Sequence, residues 1–316
     1  MDARKLRYFV TVAQLGSFSE AARRLHIAQP ALSRHVKAIE ESLGVELLTR
    51  DARGVCPTEA GEQLLLHGRD VLERLEQLPR MVGSRSHRVA GRVVVGLPTS
   101  ASAVLSVPLL RAALERYPLV RIHLMESLSG TLEEWMEAGR LDLAVLYDAQ
   151  PLPGIALEPV LVEDLWLVGG PNAFPASRKE VAFRALPRYR LVVPSLSHSH
   201  RRLVEGLALS HNVRLDVAAE IDSLSVQKAM VADGSTFTIV PHGAIHTELA
   251  AGTLSALRIV SPSISRTVSL ACALTRSDSQ ACNAIARLML DLARGLVRTN
   301  VWQGRADFGP QDAADA

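Results

Sequence analysis

Gly16-Ser17-Phe18-Ser19-Glu20-Ala21-Ala22-Arg23-Arg24-Leu25-His26-Ile27-Ala28-Gln29-Pro30-Ala31-Leu32-Ser33-Arg34-His35-Val36-Lys37-Ala38-Ile39-Glu40-Glu41-Ser42-Leu43-Gly44 is the stretch whose reading decides the N-terminal fold. Before it, Leu6, Phe9, Val10, Val12 and Ala13 recur at helical spacing, and Gly16 stops that helix. Ser17-Phe18-Ser19-Glu20 reads as a capping box: the Ser17 oxygen accepts from the Glu20 amide, and Glu20 reaches back. A second helix runs to about Leu25, and His26-Ile27-Ala28 makes a turn. Pro30 falls in the first turn of a third helix, where its missing N–H costs nothing. Ala31, Leu32, Val36, Ile39 and Leu43 give that helix an inward stripe, while Gln29, Ser33, Arg34 and Lys37 face outward. After Gly44, residues Val45 to Thr58 alternate and turn at Arg53-Gly54, the pattern of a two-stranded wing.

The outward residue types suit a DNA duplex. Arginine pairs with guanine O6 and N7, glutamine with adenine N6 and N7, and proline or alanine touches a thymine methyl. The first residues of a recognition helix make such contacts. Arg50 and Arg53 on the wing would reach the backbone or minor groove. The candidate DNA contacts are therefore Ser17, Ser19, Gln29, Pro30, Ala31, Ser33, Arg34, Lys37, Arg50 and Arg53. The plainer alternative is a small helical subdomain with a solvated charged face; the capping box, the three-residue turn and the wing together weigh against it.

The whole chain bounds the rest. Its 316 residues allow two or three domains, and 48% hydrophobic residues supply a large core. The net charge is +2, too small for a protein that coats nucleic acid by charge alone. Residues 1–54 carry +3 and the remainder −1, a small basic end on a neutral body. Cys56, Cys272 and Cys282 show no CxxC spacing, which fits a reducing cytosol. The start leads into an amphipathic helix and no apolar run reaches about 18 residues, so a cytoplasmic protein without membrane contact is expected.

From Thr58, a good N-cap, a helical pattern runs to about Met81. Leu64, Gly68, Val71, Leu75, Leu78 and Val82 form a coiled-coil-like seam for a second chain or for the chain's own domain. Pro79 should kink or end this helix near Leu78. Residues 83–87 read as a hinge.

Beyond residue 91, strands and helices alternate, which implies parallel α/β sheets. Arg92–Gly96, Val120–Glu126, Leu141–Leu146, Leu165–Val168, Arg190–Val193, Val217–Ile221, Phe237–Val240 and Val268–Leu274 read as strands. Helices are expected near 107–117, 130–138, 200–210, 225–233, 243–251 and 279–297. Two such units exchanging strands near Val160–Leu167 and Thr267 would be hinged lobes.

In open α/β sheets ligands bind beyond the strand carboxyl ends, where helix amides point outward. Thr99, Ser100 and Ser102 follow the first strand there, and Ser127 and Ser129 the second. Ser195, Ser197, His198 and Ser199 precede a helix of the other lobe, and Asp222 and Ser223 follow a strand. Hydroxyls and free amides converging on one cleft suit a small organic anion, although Ser and Thr are also ordinary helix caps. Arg201 and Arg202 are expected on a solvated helix surface. His198 and His200 at i, i+2 without a Cys or carboxylate partner make poor zinc spacing, so neither metal nor cofactor is expected. There is no GxSxG, phosphate-binding loop or HExxH, and an enzyme is not expected. A solute-binding transport protein would share the body but not the N-terminal head. Trp135, Trp166 and Trp302 are expected in core or interface.

Residues 2–62 resemble the winged helix-turn-helix of LysR-type transcriptional regulators. The likeness rests on Ala21-Ala22, Leu25-His26, Gln29-Pro30-Ala31-Leu32-Ser33-Arg34 and Thr58-Glu59-Ala60-Gly61. Ile27–Ser33, Leu47–Arg50 and Arg53–Thr58 bring it closest to the nitrogen-assimilation-control (Nac-like) branch. Ala28 and Leu48 depart from the common Ser and Phe of the family. The body resembles the family's periplasmic-binding-protein-like (type 2) effector domain, α/β and two-lobed. Its effector sites fall at the segments just named. Near Asp233-Gly234-Ser235-Thr236 and Val240-Pro241, Thr236 replaces a family Gly.

The resemblance implies this organisation: a DNA-binding domain over 1–58, a linker and dimerisation helix with hinge over 59–90, and an effector domain over 91–303. Lobe I would take 91–161 and 268–300, lobe II 162–267, with a disordered tail over 304–316. The implied function is a sequence-specific transcription regulator controlled by a small-molecule effector, an organic acid by preference. Its implied partners are double-stranded operator DNA, a second chain through the linker helix, a homotetramer and RNA polymerase.

Overall fold

Residues in the left-handed region punctuate the helical end. Gly16, at φ 61°, closes α1 (Ala3–Leu15), and His26, at φ 54°, closes α2 (Phe18–Leu25). α3 (Gln29–Leu43) ends on Gly44 at φ 71°. The computed structural model describes residues 2–51, 54–83 and 89–306. The Ser17 Oγ accepts from the Glu20 amide at 3.3 Å, while the Glu20 carboxylate pairs with Arg23. Phe9, Val12, Ala21, Leu32 and Ile39 are among the side chains that close one core between these helices. Leu43, expected on the inward stripe, is instead 46% exposed. α3 has 15 residues against 8 in α2, and its last turn overhangs the shared core.

β1 (Leu48–Asp51) and β2 (Gly54–Pro57) pair antiparallel as the expected wing. Both strands are tied down. The Glu40 carboxylate accepts from the Leu47 and Leu48 amides at 2.9 and 3.2 Å, and the Val55 amide donates to the Gly16 carbonyl at 2.9 Å. α4 (Glu59–Gly83) starts on a Thr58 cap, whose Oγ1 accepts from the Gly61 amide at 3.1 Å. A Cβ on Gly61 would lie 1.9 Å from the Leu47 carbonyl oxygen, so only glycine lets the helix start this close to the wing.

The expected seam of α4 divides in two. Leu64 and Gly68 pack toward α1 together with Leu72, which the seam did not include, and a Cβ on Gly68 would meet Leu6 at 2.8 Å. Val71 and Leu75 are exposed. The side chains of Leu78 and Val82 lie outside the described residues. Of the two outcomes expected at Pro79, a kink or an end, the helix does not end there but continues to Gly83. A proline removes one donor, here the bond to the Leu75 carbonyl, and the neighbouring bonds can carry the turn. The hinge residues 84–87 lie outside the described set.

The chain divides into two compact units, Met1–His87 and Arg88–Ala316. In the second, β3 (Ala90–Pro98), α5 (Thr99–Arg116), β4 (Leu119–Ser127), α6 (Ser129–Glu137) and β5 (Leu143–Tyr147) form the first βαβ layers. β6 (Ile155–Gly169) then leaves this half. β7 (Glu180–Ala182), β8 (Arg190–Val193), α7 (Ser199–Ser210), β9 (Asp216–Glu220), α8 (Leu224–Ala232), β10 (Thr238–Pro241), α9 (His246–Ala250) and β11 (Ser255–Val260) build the other half. β12 (Ser265–Ala273) returns, followed by α10 (Gln280–Arg298) and β13 (Arg305–Ala306).

The first lobe's sheet runs β4-β3-β5-β12-β6, with β3 parallel to β4 and β5. The far half of β6 pairs antiparallel with β10 and β11 of the second lobe. β8 and β9 pair in parallel, and β8 joins β10 through a Leu191–Phe237 bridge. β6 and β12 thus carry the chain between lobes, antiparallel to one another over Ser265–Ala273. Each lobe has its own apolar core, one around Val95, Leu109 and Ile285, the other around Leu167, Phe183 and Ile239.

Three details differ from the sequence reading. α5 begins at Thr99 and not near 107, so Thr99–Ser102 form its first turn. The helix expected over 243–251 is a 3-10 turn, His242–Ile245, followed by α9. Arg305 and Ala306, placed in a disordered tail, add a short strand to β6, opposite Val162 and Leu161. Residues 307–316 lie outside the described set.

Candidate functional site

The N-terminal unit presents its candidate contacts on α2 and α3. Pro30, Arg34 and Lys37 are exposed, as is Ser19. Gln29, Ala31 and Ser33 are half-buried, and Gln29 Nε2 donates to Ser33 Oγ at 3.1 Å. That bond holds two polar groups one turn apart on the outward edge of the helix. Ser17 is half-buried and spends its oxygen on the α2 cap. Lys37 lies 3.9 Å from Glu41, an exposed pair worth little. Arg34 has no hydrogen-bond or ion-pair partner among the described residues. Arg50 lies on β1, but its side chain, like all of Arg53, is outside the described residues.

In the second unit a cleft opens between the lobes. Its free space is small, about 40 Å³. Thr99, Ser100, Ser127, Ser129, His198, Ser199 and Asp222, all anticipated from sequence, line it. Ser102 and Ser223 do not. They lie in an adjoining groove with Thr99, Glu126, Asp222 and Lys228. Ser195 and Ser197 line neither space. The Ser195 amide donates to Asp222 Oδ1 at 2.8 Å, and the two serine hydroxyls bond each other at 2.6 Å, so these residues shape the loop.

Four helices begin at this cleft, and three lack a side-chain cap. α5, α6 and α7 start after Pro98, Leu128 and His198, none of which caps through its side chain. Thr99, Ser129 and Ser199 are the first helical residues, one position too late to be N-caps. Only α8 is capped, by Ser223, whose Oγ accepts from the Val226 amide at 3.5 Å. The positive dipole ends of three helices therefore face an occupant, with their first-turn amides open except that of Ala101, which the Tyr147 hydroxyl engages.

The cleft floor holds residues that sequence reasoning missed. Arg266 on β12 and Glu163 on β6 are both buried, with Arg266 Nε donating to Glu163 Oε1 at 2.7 Å. Arg266 Nη2 donates to Ser100 Oγ at 3.0 Å, and Ser100 Oγ lies 2.7 Å from the Tyr147 hydroxyl. The guanidinium carbon stacks 3.4 Å from the Tyr147 ring centroid. Trp302 Nε1 donates to Glu163 Oε2 at 2.8 Å, which places this tryptophan in the core as expected. Gln227 bridges the far wall, donating to the Ile221 carbonyl at 2.6 Å and accepting from Thr238 Oγ1 at 3.0 Å. The available signal was Glu163-Asp164 inside an apolar strand run, where only a buried partner permits a charge.

Arg201, expected on a solvated surface, is buried. Its Nε donates to Glu205 Oε1 at 2.9 Å and its Nη1 to the Pro194 carbonyl at 3.1 Å. Arg202 is exposed and its Nη1 donates to the Leu196 and Ser197 carbonyls at 2.9 and 2.8 Å. Thr236, the replacement for a family glycine, is buried outside the cleft lining, with Oγ1 donating to the Met230 carbonyl at 3.1 Å.

Electrostatics follow from this burial. The Tyr147 hydroxyl is pushed up to about 12 by burial and stays protonated. Burial holds the His200 ring well below the usual imidazole range, and Arg266, His198 and Arg201 act in the same direction. Burial also lowers His198, opposed by Asp222, whose Oδ1 lies 3.3 Å from its Nε2. Asp222 is held low chiefly by the Ser195 amide. Burial pushes Cys272 up to about 11 and Cys282 up to about 12, so neither is a thiolate near neutrality.

The comparisons cover nearly the whole chain. Residues 3–62 match the "Bacterial regulatory helix-turn-helix protein, lysR family" and residues 86–294 the "LysR substrate binding domain". The nitrogen assimilation regulatory protein of Klebsiella aerogenes is 35% identical over 92% of this chain and 95% of its own. Its counterpart from Escherichia coli K12 is 32% identical over 96% of this chain and 99% of its own. Among solved structures, a full-length OxyR variant from Pseudomonas aeruginosa shares the fold with a TM-score of 0.73 at 23% identity, covering 98% of this chain and 99% of that one.

Two outcomes follow from the floor's chemistry. Glu163→Ala leaves the Arg266 guanidinium buried without its carboxylate and lowers stability by about 3–5 kcal/mol, read by urea unfolding. Wild-type stability would contradict the pairing. The depressed His200 also makes the fold acid-sensitive. Below the unfolded value near 6.5 the unfolded ring binds a proton and the folded ring does not, so stability falls as pH drops through 6.5. His200→Gln flattens that part of the profile in melts from pH 8 to 5.

Proposed function

This chain belongs to the LysR family of transcriptional regulators, and on that premise we propose that α3 reads operator DNA and that the interlobe cleft takes a small organic anion. The family acts by binding DNA and an effector, and its members are regulators and not enzymes. In this reading Pro30, Ala31, Gln29, Ser33 and Arg34 meet base edges in the major groove. Ser17, Ser19, Lys37, Arg50 and Arg53 meet the phosphate backbone or the minor groove. The exposure of Arg34, without a partner among the described residues, favours base readout, since no competing ion pair must be broken first.

One observation carries the cleft assignment: α5, α6 and α7 all start there without a side-chain cap. Evolution of an ordinary helix end favours Ser, Thr, Asp or Asn at that position. Pro98, Leu128 and His198 leave the amides to a ligand. An organic acid fits such amides together with the Thr99, Ser100 and Ser129 hydroxyls. Ser102, Ser223 and the adjoining groove would take a longer ligand's remainder. Ser195 and Ser197 act through Asp222 and not by contact. Binding would favour one arrangement of the lobes across β6 and β12 and pass it to the DNA-reading heads.

The exposed Val71 and Leu75 support pairing of α4 with a second copy, which would set two recognition helices on an inverted repeat. Two such dimers would make a homotetramer, which contacts RNA polymerase from its DNA site. The 1–58, 59–90 and 91–303 division follows from the same reading. No helix among the described residues is long and apolar enough to cross a membrane, which supports a cytoplasmic place of action.

Arg34→Ala should cost about 1–3 kcal/mol in operator binding and relax preference at one base position, measured by competition against single-base variants of the operator. Unchanged affinity and preference would mean that another face reads the duplex. Genome-wide occupancy supplies the operator and, from the neighbouring operon, the candidate acids. Val71→Glu with Leu75→Glu should shift the protein toward monomer in sedimentation; an unchanged oligomer would place the interface elsewhere.

A further inference from the structure

Two ring nitrogens in the cleft, His198 Nε2 and His200 Nε2, are buried without a hydrogen bond among the described residues. His200 Nε2 is shielded from solvent and has no hydrogen-bond partner among the described residues. His200 lines the same space as Ser100, Ser129, Tyr147 and Arg266. A buried ring nitrogen without a partner is costly, and a native fold keeps one where a ligand completes it.

The groups around it explain why the protein cannot complete it alone. From β12, Arg266 faces it; from α7 itself, His198 and Arg201 do, and all three oppose a proton on the ring. The His198 ring stands edge-on, 5.8 Å between centroids. From β5, Tyr147 stays neutral. The nearby carboxylates are engaged elsewhere: Glu163 on β6 by Arg266 and Trp302, Asp222 at the cleft rim by the Ser195 amide, Glu205 by Arg201. Arg266 meets a buried carboxylate of equal and opposite charge, so the floor lacks a surplus cation. An entering anion finds helix amides and hydroxyls, but no free charge.

We propose that His200 is the ligand-sensing group of the cleft: an oxyanion seated there draws one proton from solvent onto His200, whose Nε2–H then donates to it. The inference rests on the anion reading of the cleft. The balance is one anion and one proton bound together, with no covalent change. Ligand entry satisfies the orphaned nitrogen, and ring and anion neutralise each other in a site of low dielectric. Effector response is thereby linked to pH. For an anion of fixed charge, affinity should rise by up to about tenfold per unit fall in pH while the empty site is neutral and the filled site protonated. His198 does not share this role: its Nε2 makes no hydrogen bond either, but the Asp222 carboxylate 3.3 Å away already stands as its charge partner.

Sulfate is a suitable probe, being a dianion throughout pH 5.5 to 8. Calorimetric titration of the full-length protein at pH 7.0, in two buffers of different ionisation heat, should count close to one proton taken up per sulfate bound. Affinity should strengthen several-fold from pH 8 to pH 6.5. His200→Gln should lose that pH dependence, whereas Ser100→Ala should weaken binding at every pH and keep it. Sulfate bound with no proton uptake, but weakened by Ser100→Ala, overturns the role of His200 and leaves the anion site standing. No sulfate binding, or binding indifferent to Ser100→Ala, overturns the anion site and the His200 inference with it. The wild-type proton count decides the matter even if His200→Gln does not fold.

Discussion

The ion pair between Arg266 and Glu163 is the constraint on which the effector unit turns. The two residues stand opposite each other in the register of β12 and β6, the strands that cross between lobes. Each is almost wholly removed from water, and such a pair is tolerated only when its remaining donors and acceptors are met. They are met by residues from separate parts of the chain: Ser100 from the start of α5, Tyr147 from the end of β5, Trp302 from beyond α10. One charge pair thereby aligns the crossover strands, the first helix of the cleft and the C-terminal segment. Because the pair is self-neutralising, the cleft above it takes its electrical character from helix ends and from a histidine.

The same economy appears in the helical unit, where backbone groups are satisfied by side chains that also set geometry. Glu40 turns α3 into the anchor of the wing by accepting two amides at the entry to β1. Thr58 caps α4 and donates to the Glu46 carbonyl at 2.6 Å. Gly61 lets α4 lie against the wing backbone at a distance no other residue would allow, and Gly68 lets it lie close against the Leu6 and Val10 side chains of α1. The outward edge of α3 is thus held by bonds within the unit, which preorganises it for a rigid groove. On α4, Leu72 is the last residue seen in the core, while Val71 and Leu75 are exposed.

Most of the fold was legible because its signals are local. The helix-turn-helix rests on a capping serine, a glycine stop and a 3.6-residue stripe, all readable within thirty residues. The alternation of strands and helices was also readable, although β7 and β11 were not anticipated and β6 begins ten residues before the expected strand. Several misreadings share a cause: they concern what lies beyond an element's end. Leu43 looked inward because the stripe continues, yet the neighbouring helix is shorter. Pro79 looked like a kink or a stop because its lost bond is a local fact, while continuation depends on the turns around it. Thr99, Ser129 and Ser199 looked like caps because they are good capping types, but a one-residue offset in helix start puts them inside the helix.

The sequence by itself determined the family, the division into a helical head and an α/β body, and the loops that would meet at a cleft, since periodicity, turn chemistry and motif spacing are properties of neighbours along the chain. Tertiary structure alone decided which of those loop residues face the cleft and which only brace it. It alone placed Arg266 against Glu163, 103 positions apart, and left the His200 nitrogen without a partner. Burial and pairing across such separations depend on how strands register in space, and no local pattern encodes that register.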